Sequence, residues 1–488
     1  MVARSYLALD LGAESGRAVL GQFDGERLAC VEVHRFANQP VQLPGALHWD
    51  ILRIYAEILL GIRSAQQHAE ALVSVAVDAW GVDFGLLDAR GDLLANPVHY
   101  RDSRTDGMLD LADRQVGRAR IFETTGIQFL PINTLYQLLA LRESGSPLLD
   151  AAQALLTIPD LLAFWLSGTA ACEFTNATTT QCYDPRARAW ATALLDALEL
   201  PSRVFPVVVQ PGTPLGRLRW APTVQVIAPA AHDTGSAVAA TPLRGADEAY
   251  ISSGTWSLVG IEVAEPVITQ ASLAANMTNE GGVGGTFRLL RNVMGLWLVQ
   301  GIRASCATDY SYEQVAEAAA LAPPAAAWID PDAAEFLHPD DMCLALRQAC
   351  VASGQTPPPD VGGLVRMVLE SLALRYRWVI ERLESLSGRR IRTIHVVGGG
   401  ARHSLLCQLT ADATRRGVRA GPVEATAIGN LLVQAIALGD VRDVAEAREV
   451  VRRSFPQTEY LPRLSARWDD AYEQFQNGLR PKNPASRS

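Results

Sequence analysis

The sequence predicts an α/β protein of two domains with a cleft between them, and three observations carry the prediction. Each half opens on a β-hairpin whose tip is rich in glycine and hydroxyl side chains, and each then alternates strands with helices. The length of 488 residues suits two or three domains. A hydrophobic fraction of 49% against 19% charged residues can fill sizeable cores and excludes global disorder.

Along the first half, Tyr6 to Gly12 is an apolar run ending in a turn, Ala18 to Phe23 a second strand, and Leu28 to Phe36 a third beyond the Asp24-Gly25 turn. Asp50 can cap a helix reaching about His68, and Val73 to Asp78 is a buried-type strand ending in an acid. In the second half, Ala249 to Gly260 reads as two strands around Ser253-Gly254-Thr255. A long helix covers about Val361 to Leu386. The strand Ile391 to Val397 leads through Gly398-Gly399-Gly400 into a helix from about His403. Glu424 to Leu438 reads as helix, with Gly429 on a face where another backbone can approach closely. The join is placed near Thr241 to Asp247, giving domains at 1–243 and 244–479 and a flexible tail at 480–488.

Composition removes several chemistries. The only lysine is Lys482, so a Walker A loop, a protein-kinase site and a Schiff-base lysine are all excluded. The net charge of −9 and the lack of a basic stripe argue against a nucleic-acid partner. The longest stretch free of Asp, Glu, Lys and Arg, Thr124 to Leu141, is broken by Gly126, Pro131 and Asn133 and does not read as a membrane span. Asp10 arrives before any apolar run could serve as a signal peptide. Seven scattered cysteines without a CxxC or zinc spacing read as reduced thiols, and the expected location is the cytoplasm.

Four segments can carry chemistry. In Asp10-Leu11-Gly12-Ala13-Glu14-Ser15-Gly16-Arg17, turn amides can hold a phosphate, Arg17 supplies a permanent cation, and Asp10 is a hard oxygen ligand suited to Mg²⁺. An ordinary polar hairpin is the alternative. In His232-Asp233-Thr234-Gly235, an apolar segment delivers an acid that can accept a hydroxyl proton as that hydroxyl attacks phosphorus, or that simply caps a helix. Ser252-Ser253-Gly254-Thr255 suits a second phosphate grip or is a plain turn. Gly398-Gly399-Gly400 offers bare backbone to a flat adenosine or a tight turn, and it lacks the GxGxxG spacing. Trp80 can stack on a sugar or pack in the core, and Asp83 can bind a sugar hydroxyl or fix the local turn.

These motifs, in this order over nearly the whole chain, resemble the FGGY carbohydrate kinases, together with Tyr100 to Thr105, Ile158 to Gly168 and Asn176 to Thr180. The resemblance implies two actin-like (ribonuclease H-like) domains, a sugar-binding N-terminal one carrying the first phosphate hairpin and a nucleotide-binding C-terminal one. It implies ATP and Mg²⁺ as cofactors. It assigns Asp233 as the general base and Asp10 as the residue that places the metal. Ala13, Ser15, Gly16, Arg17, Thr255, Gln300 and Gly399 become nucleotide contacts, and Gly81, His232, Asp233, Thr234 and Asn292 sugar contacts. Asp78 to Phe84, Gly126 to Gln137, and Asn292 to Trp297 with Gln300 resemble the branch of the family acting on L-rhamnulose. That implies phosphorylation at O1 to L-rhamnulose 1-phosphate in L-rhamnose catabolism. The alternatives are another ketose or polyol (L-fuculose, D-xylulose, glycerol) or a non-catalytic nucleotide-gated sugar sensor. Partners are then the sugar and ATP, with monomer and homodimer both open. Glu14 departs from the family pattern and receives no phosphate contact.

Overall fold

A computed structural model describes residues 4–306 and 308–479, so Lys482 and the proposed tail at 480–488 lie outside the described residues. Among these residues the chain forms two compact units. The first gathers 4–242, 262–290 and 424–456, and the second 243–261, 291–423 and 457–479. The chain therefore leaves the first unit at Pro242 and returns to it twice.

The first unit is built on β1 (Arg4–Leu11), β2 (Ser15–Phe23), β3 (Leu28–Ala37) and, after helix α1 (Ile51–His68), the strand β4 (Leu72–Ala79). Strands β5 (Pro214–Leu218) and β6 (Ala221–Ile227) complete a six-stranded sheet in the order β5-β6-β4-β1-β2-β3. β1 runs parallel to β4 and antiparallel to β2. β1 is buried without a break from Ser5 to Leu11 because both faces are covered. On one side α1 lays down Ile51, Ile54, Ile58, Ile62 and Ala65 at helical spacing, and Asp50 caps it by accepting from the Arg53 amide. Leu7, Leu9, Leu11, Val75, Val77 and Trp49 share that core.

Helix α2 (Asp233–Ala239) follows β6. The second unit contributes β7 (Glu248–Ser253) and β8 (Trp256–Val263), an antiparallel hairpin. The hairpin β9 (Thr278–Gly281) and β10 (Phe287–Met294) lies where the chain has returned to the first unit, β10 running on into the second. In the second unit, α3 (Val361–Ser387) precedes β11 (Thr393–Val397), α4 (Ser404–Thr414) and β12 (Gly417–Ala420). β7 pairs parallel with β11, and β11 with β12. Asp360 caps α3 and Gly388, at φ +68°, ends it. Helix α5 (Ala425–Ala437) belongs to the first unit and crosses α2 at Gly429, where an added Cβ would stand 1.8 Å from the Ser236 carbonyl oxygen. That is the close approach expected of Gly429. No helix among the described residues is long and apolar enough to cross a membrane.

Candidate active site

Strand register assembles the acids of the first unit. In the β1/β2 hairpin Asp10 stands opposite Arg17, and in the parallel β1/β4 pair it stands beside Asp78. Beyond β6 the chain stays in step with the end of β4, because the Ala79 amide donates to the Ala231 carbonyl at 2.9 Å. Asp10 and Asp78 therefore sit near the ends of neighbouring strands, and Asp233 opens α2 just past an isolated bridge between Ala79 and His232.

Their electrostatics are strained. Burial raises the Asp10 carboxyl above its usual range and the charge of Asp233 adds to this, while the Arg17 guanidinium opposes it with a 2.5 Å ion pair. Burial raises Asp78 further, with the charge of Asp10 as the next cause, while the Asn430 amide, donating at 2.5 Å, and the Arg17 charge pull it down. Asp78 Oδ1 is buried without a hydrogen-bond partner among the described residues. Arg17 also pairs with Glu424. Burial works against the Arg17 charge, but its two carboxylate partners outweigh it and hold it protonated.

Asp233 differs from its two neighbours, since its side chain is 32% exposed. Its Oδ1 accepts from the Thr234 amide at 2.5 Å and the Thr234 hydroxyl at 3.1 Å, with His232 Nε2 at 3.4 Å. Oδ2 has no such partner among the described residues and keeps its lone pairs. The backbone ahead of it is pinned by Glu173, whose Oε2 accepts from the Ala231 amide at 2.8 Å, and by the Thr175 hydroxyl, which accepts from the His232 amide at 3.1 Å. Glu173 is fully buried, and burial pushes its carboxyl up to about 8.

Gly81 follows β4, and a Cβ there would lie 3.0 Å from the Thr179 hydroxyl. The next residue, Val82, adopts φ +70°, a left-handed conformation that a β-branched residue tolerates poorly. Its carbonyl is held by the Thr134 hydroxyl at 2.6 Å. Asp83 fixes this turn: Oδ2 accepts from Trp49 Nε1 at 2.6 Å, Trp80 Nε1 at 3.0 Å and the Tyr100 amide at 3.2 Å, and Oδ1 from Gln137 at 2.9 Å. Burial pushes its carboxyl up to about 6. Trp80 is buried with its ring 4.1 Å from that of Trp49, which is packing rather than a free sugar platform.

Ala13, Ser15, Gly16 and Arg17 form and follow the first hairpin turn, closed by the Gly12 amide donating to the Ser15 carbonyl. Gly16 is required because a Cβ would stand 2.1 Å from the Phe36 ring.

The second unit holds the other predicted contacts. The carbonyls of Gly254 and Thr255 accept from the amides of Leu296 and Trp297, seating the helix Trp297–Ser305 against the hairpin tip. The Thr255 hydroxyl has no hydrogen-bond partner among the described residues. On that helix Gln300 Oε1 is buried without a partner among the described residues. Trp297 packs, donating from Nε1 to the Phe336 carbonyl at 2.9 Å. Asn292 lies on β10. The three glycines after β11 differ: a Cβ on Gly398 or Gly400 would strike Ser253, at 2.9 and 2.0 Å, whereas one on Gly399 would meet nothing within 4 Å. Gly399 thus presents open backbone.

The sequence reading missed Asp78, Glu173, Val82, Asn430, Glu280 and Arg288. A signal existed only for Asp78, an acid ending a buried strand at the same step as Asp10.

Family models for the N-terminal and C-terminal domains of FGGY carbohydrate kinases match residues 5–237 and 249–438. The chain belongs to the FGGY family of carbohydrate kinases. It is 42% identical to a rhamnulokinase of Bacteroides thetaiotaomicron over 484 residues, covering 98% of this chain and 100% of that one. It is 40% identical to a rhamnulokinase of Bacillus subtilis, covering 94% and 95%. Among solved structures, a ligand-bound xylulose kinase from Lactobacillus acidophilus superposes with a TM-score of 0.79 at 17% identity, covering 97% of each chain. A Plasmodium falciparum glycerol kinase with ADP gives 0.78 at 14% identity, covering 99% of each. At those identities the likeness shows the fold, the two-domain actin-like architecture expected.

Proposed function

We propose that this chain transfers the γ-phosphoryl group of ATP to O1 of L-rhamnulose, with Asp233 as the base. The choice of sugar is supported by the near-full-length identity to rhamnulokinases. The chemistry is supported by the free Oδ2 of Asp233, on a part-exposed side chain beside two buried carboxylates and Arg17. As the O1–phosphorus bond forms and the bond from phosphorus to the β-phosphate oxygen breaks, Oδ2 takes the hydroxyl proton. Oδ1, already occupied by the two Thr234 donors, keeps the carboxylate aimed. Arg17 and the amides of Ala13, Ser15 and Gly16 are proposed to hold phosphate, as is the Thr255 hydroxyl, while Gln300 and Gly399 take the nucleotide. Gly81, His232, Thr234 and Asn292 are proposed to hold the sugar.

Mg²⁺ fits this donor set. Among the described residues no group of three His, Cys, Asp or Glu side chains is arranged to hold a bare ion, and Mg²⁺ characteristically keeps several waters and takes one or two carboxylates. Asp10 would hold it, next to the unpartnered Asp78 Oδ1. When bound, the ion neutralises phosphate charge. Asp10, raised by burial and by the charge of Asp233, and Asp78, raised by burial and by the charge of Asp10, are acids whose ionised form a cation would stabilise.

The test is a panel of L-rhamnulose, L-fuculose, D-xylulose and glycerol with ATP, scored by ADP release and by NMR of the product. L-Rhamnulose 1-phosphate formed with the highest kcat/KM is expected. Faster turnover of another acceptor overturns the substrate, and ADP release without a phosphorylated sugar overturns the kinase reading.

A further inference from the structure

Arg288, on β10, is fully buried, although burying a guanidinium costs several kcal/mol unless its charge and donors are matched. Its cross-strand neighbour in the β9/β10 pair is Glu280, also buried. Arg288 Nε donates to the Gly281 carbonyl at 2.7 Å. Nη2 lies 3.1 Å from Glu280 Oε2 and 3.2 Å from His232 Nδ1. Glu280 Oε2 is itself 3.2 Å from that Nδ1, and on the far side of the ring Nε2 is 3.4 Å from Asp233 Oδ1.

Arginine has only donors and stays protonated, so its contact with Nδ1 is attractive only if Nδ1 carries no hydrogen. Nη2 donates to Nδ1, and the Glu280 carboxylate beside it balances the guanidinium charge. The neutral ring then carries its hydrogen on Nε2, facing Asp233. Remove the arginine, and Glu280 draws the hydrogen to Nδ1, leaving a bare Nε2 lone pair against the carboxylate.

We infer that Arg288, neutralised by Glu280, locks His232 in the Nε2–H tautomer and thereby orients Asp233. Arg288 and His232 are positioning residues in this scheme. The inference rests on the reading of Asp233 as the base.

The test is ¹⁵N NMR of histidine-labelled protein, with the His232 signals identified by their loss in His232→Asn. The wild-type ring is expected to carry hydrogen on Nε2 only. In Arg288→Met the hydrogen moves to Nδ1, and kcat falls roughly ten- to a hundredfold, the scale of a misplaced reacting group, with KM for ATP unchanged. In Arg288→Met/Glu280→Gln the glutamine amide donates to Nδ1, the Nε2–H form returns, and kcat recovers. A merely structural role would not move the tautomer and the rate together. A wild-type ring with hydrogen on Nδ1 overturns the inference, as does a tautomer change in Arg288→Met with kcat held within twofold. If Arg288→Met does not fold, the wild-type spectrum and the double variant, which lacks the unpaired buried charge, decide it. Failure of the base reading shows separately, as an active Asp233→Asn.

Discussion

Asp233→Asn separates the proton-accepting role of this side chain from its place in the fold. The amide oxygen can replace Oδ1, because that position is filled by donors: the Thr234 amide at 2.5 Å and the Thr234 hydroxyl at 3.1 Å. The reversed orientation would set an NH₂ group against those donors, so the new NH₂ is forced into the Oδ2 position. There it can donate to a hydroxyl and cannot take its proton. A positioned base contributes roughly 10²- to 10⁴-fold, which converts to about 2.7–5.4 kcal/mol of barrier at 1.36 kcal/mol per tenfold. Turnover is measured by coupled ADP release at saturating L-rhamnulose and ATP, and sugar binding by calorimetry. The expected result is a kcat at or below about 1% of wild type with sugar affinity kept. A variant retaining more than about a tenth of the turnover refutes the assignment, because a loss under tenfold lies below the range for a base.

Other substitutions read other parts of the structure. Gly399→Val should fold normally, since a Cβ there meets nothing within 4 Å, yet raise KM for ATP about tenfold or more, some 1.4 kcal/mol, in initial-rate assays. Gly400→Ala should instead lower the melting temperature, because its Cβ would stand 2.0 Å from Ser253 Oγ. Gly429→Ala forces α5 off the Ser236 carbonyl and should cost at least about 1–3 kcal/mol in urea unfolding, the usual range for overpacking. Glu173 has its carboxyl raised by burial from 4.5 to about 8. Between those values the folded state holds a proton that the unfolded state has released, so its contribution to stability falls as pH rises. Urea midpoints from pH 5 to 8 should therefore decline less in Glu173→Gln than in wild type, and equal slopes would refute the argument.

Strands, helices and glycine turns were legible in the sequence because their signals are local. An apolar run followed by Gly12, a capping Asp50, isoleucines at helical spacing in Ile51–His68, and Gly429 on a helix face each depend on a few residues of neighbouring chain. So did the motif residues Asp10, Arg17, Asp233, Thr255 and Gly399, whose order along the chain carried the family resemblance. The surroundings of those residues were decided elsewhere. Parallel register set Asp78 beside Asp10, and α5, returning some 350 residues later, brought Asn430 to Asp78 and Glu424 to Arg17. Trp80 could be read either way until Trp49, Tyr100 and Gln137 were seen to converge on Asp83. Glu280 and Arg288 look like ordinary alternating charges of a solvent-facing strand, because sequence records a charge but not its burial. Composition and short-range periodicity by themselves determined which segments fold and which residues can do chemistry. Pairings between distant segments follow from strand register and helix packing, which leave no periodic trace in the chain, so only the tertiary structure decided which acid stays buried and which keeps a free oxygen for the substrate.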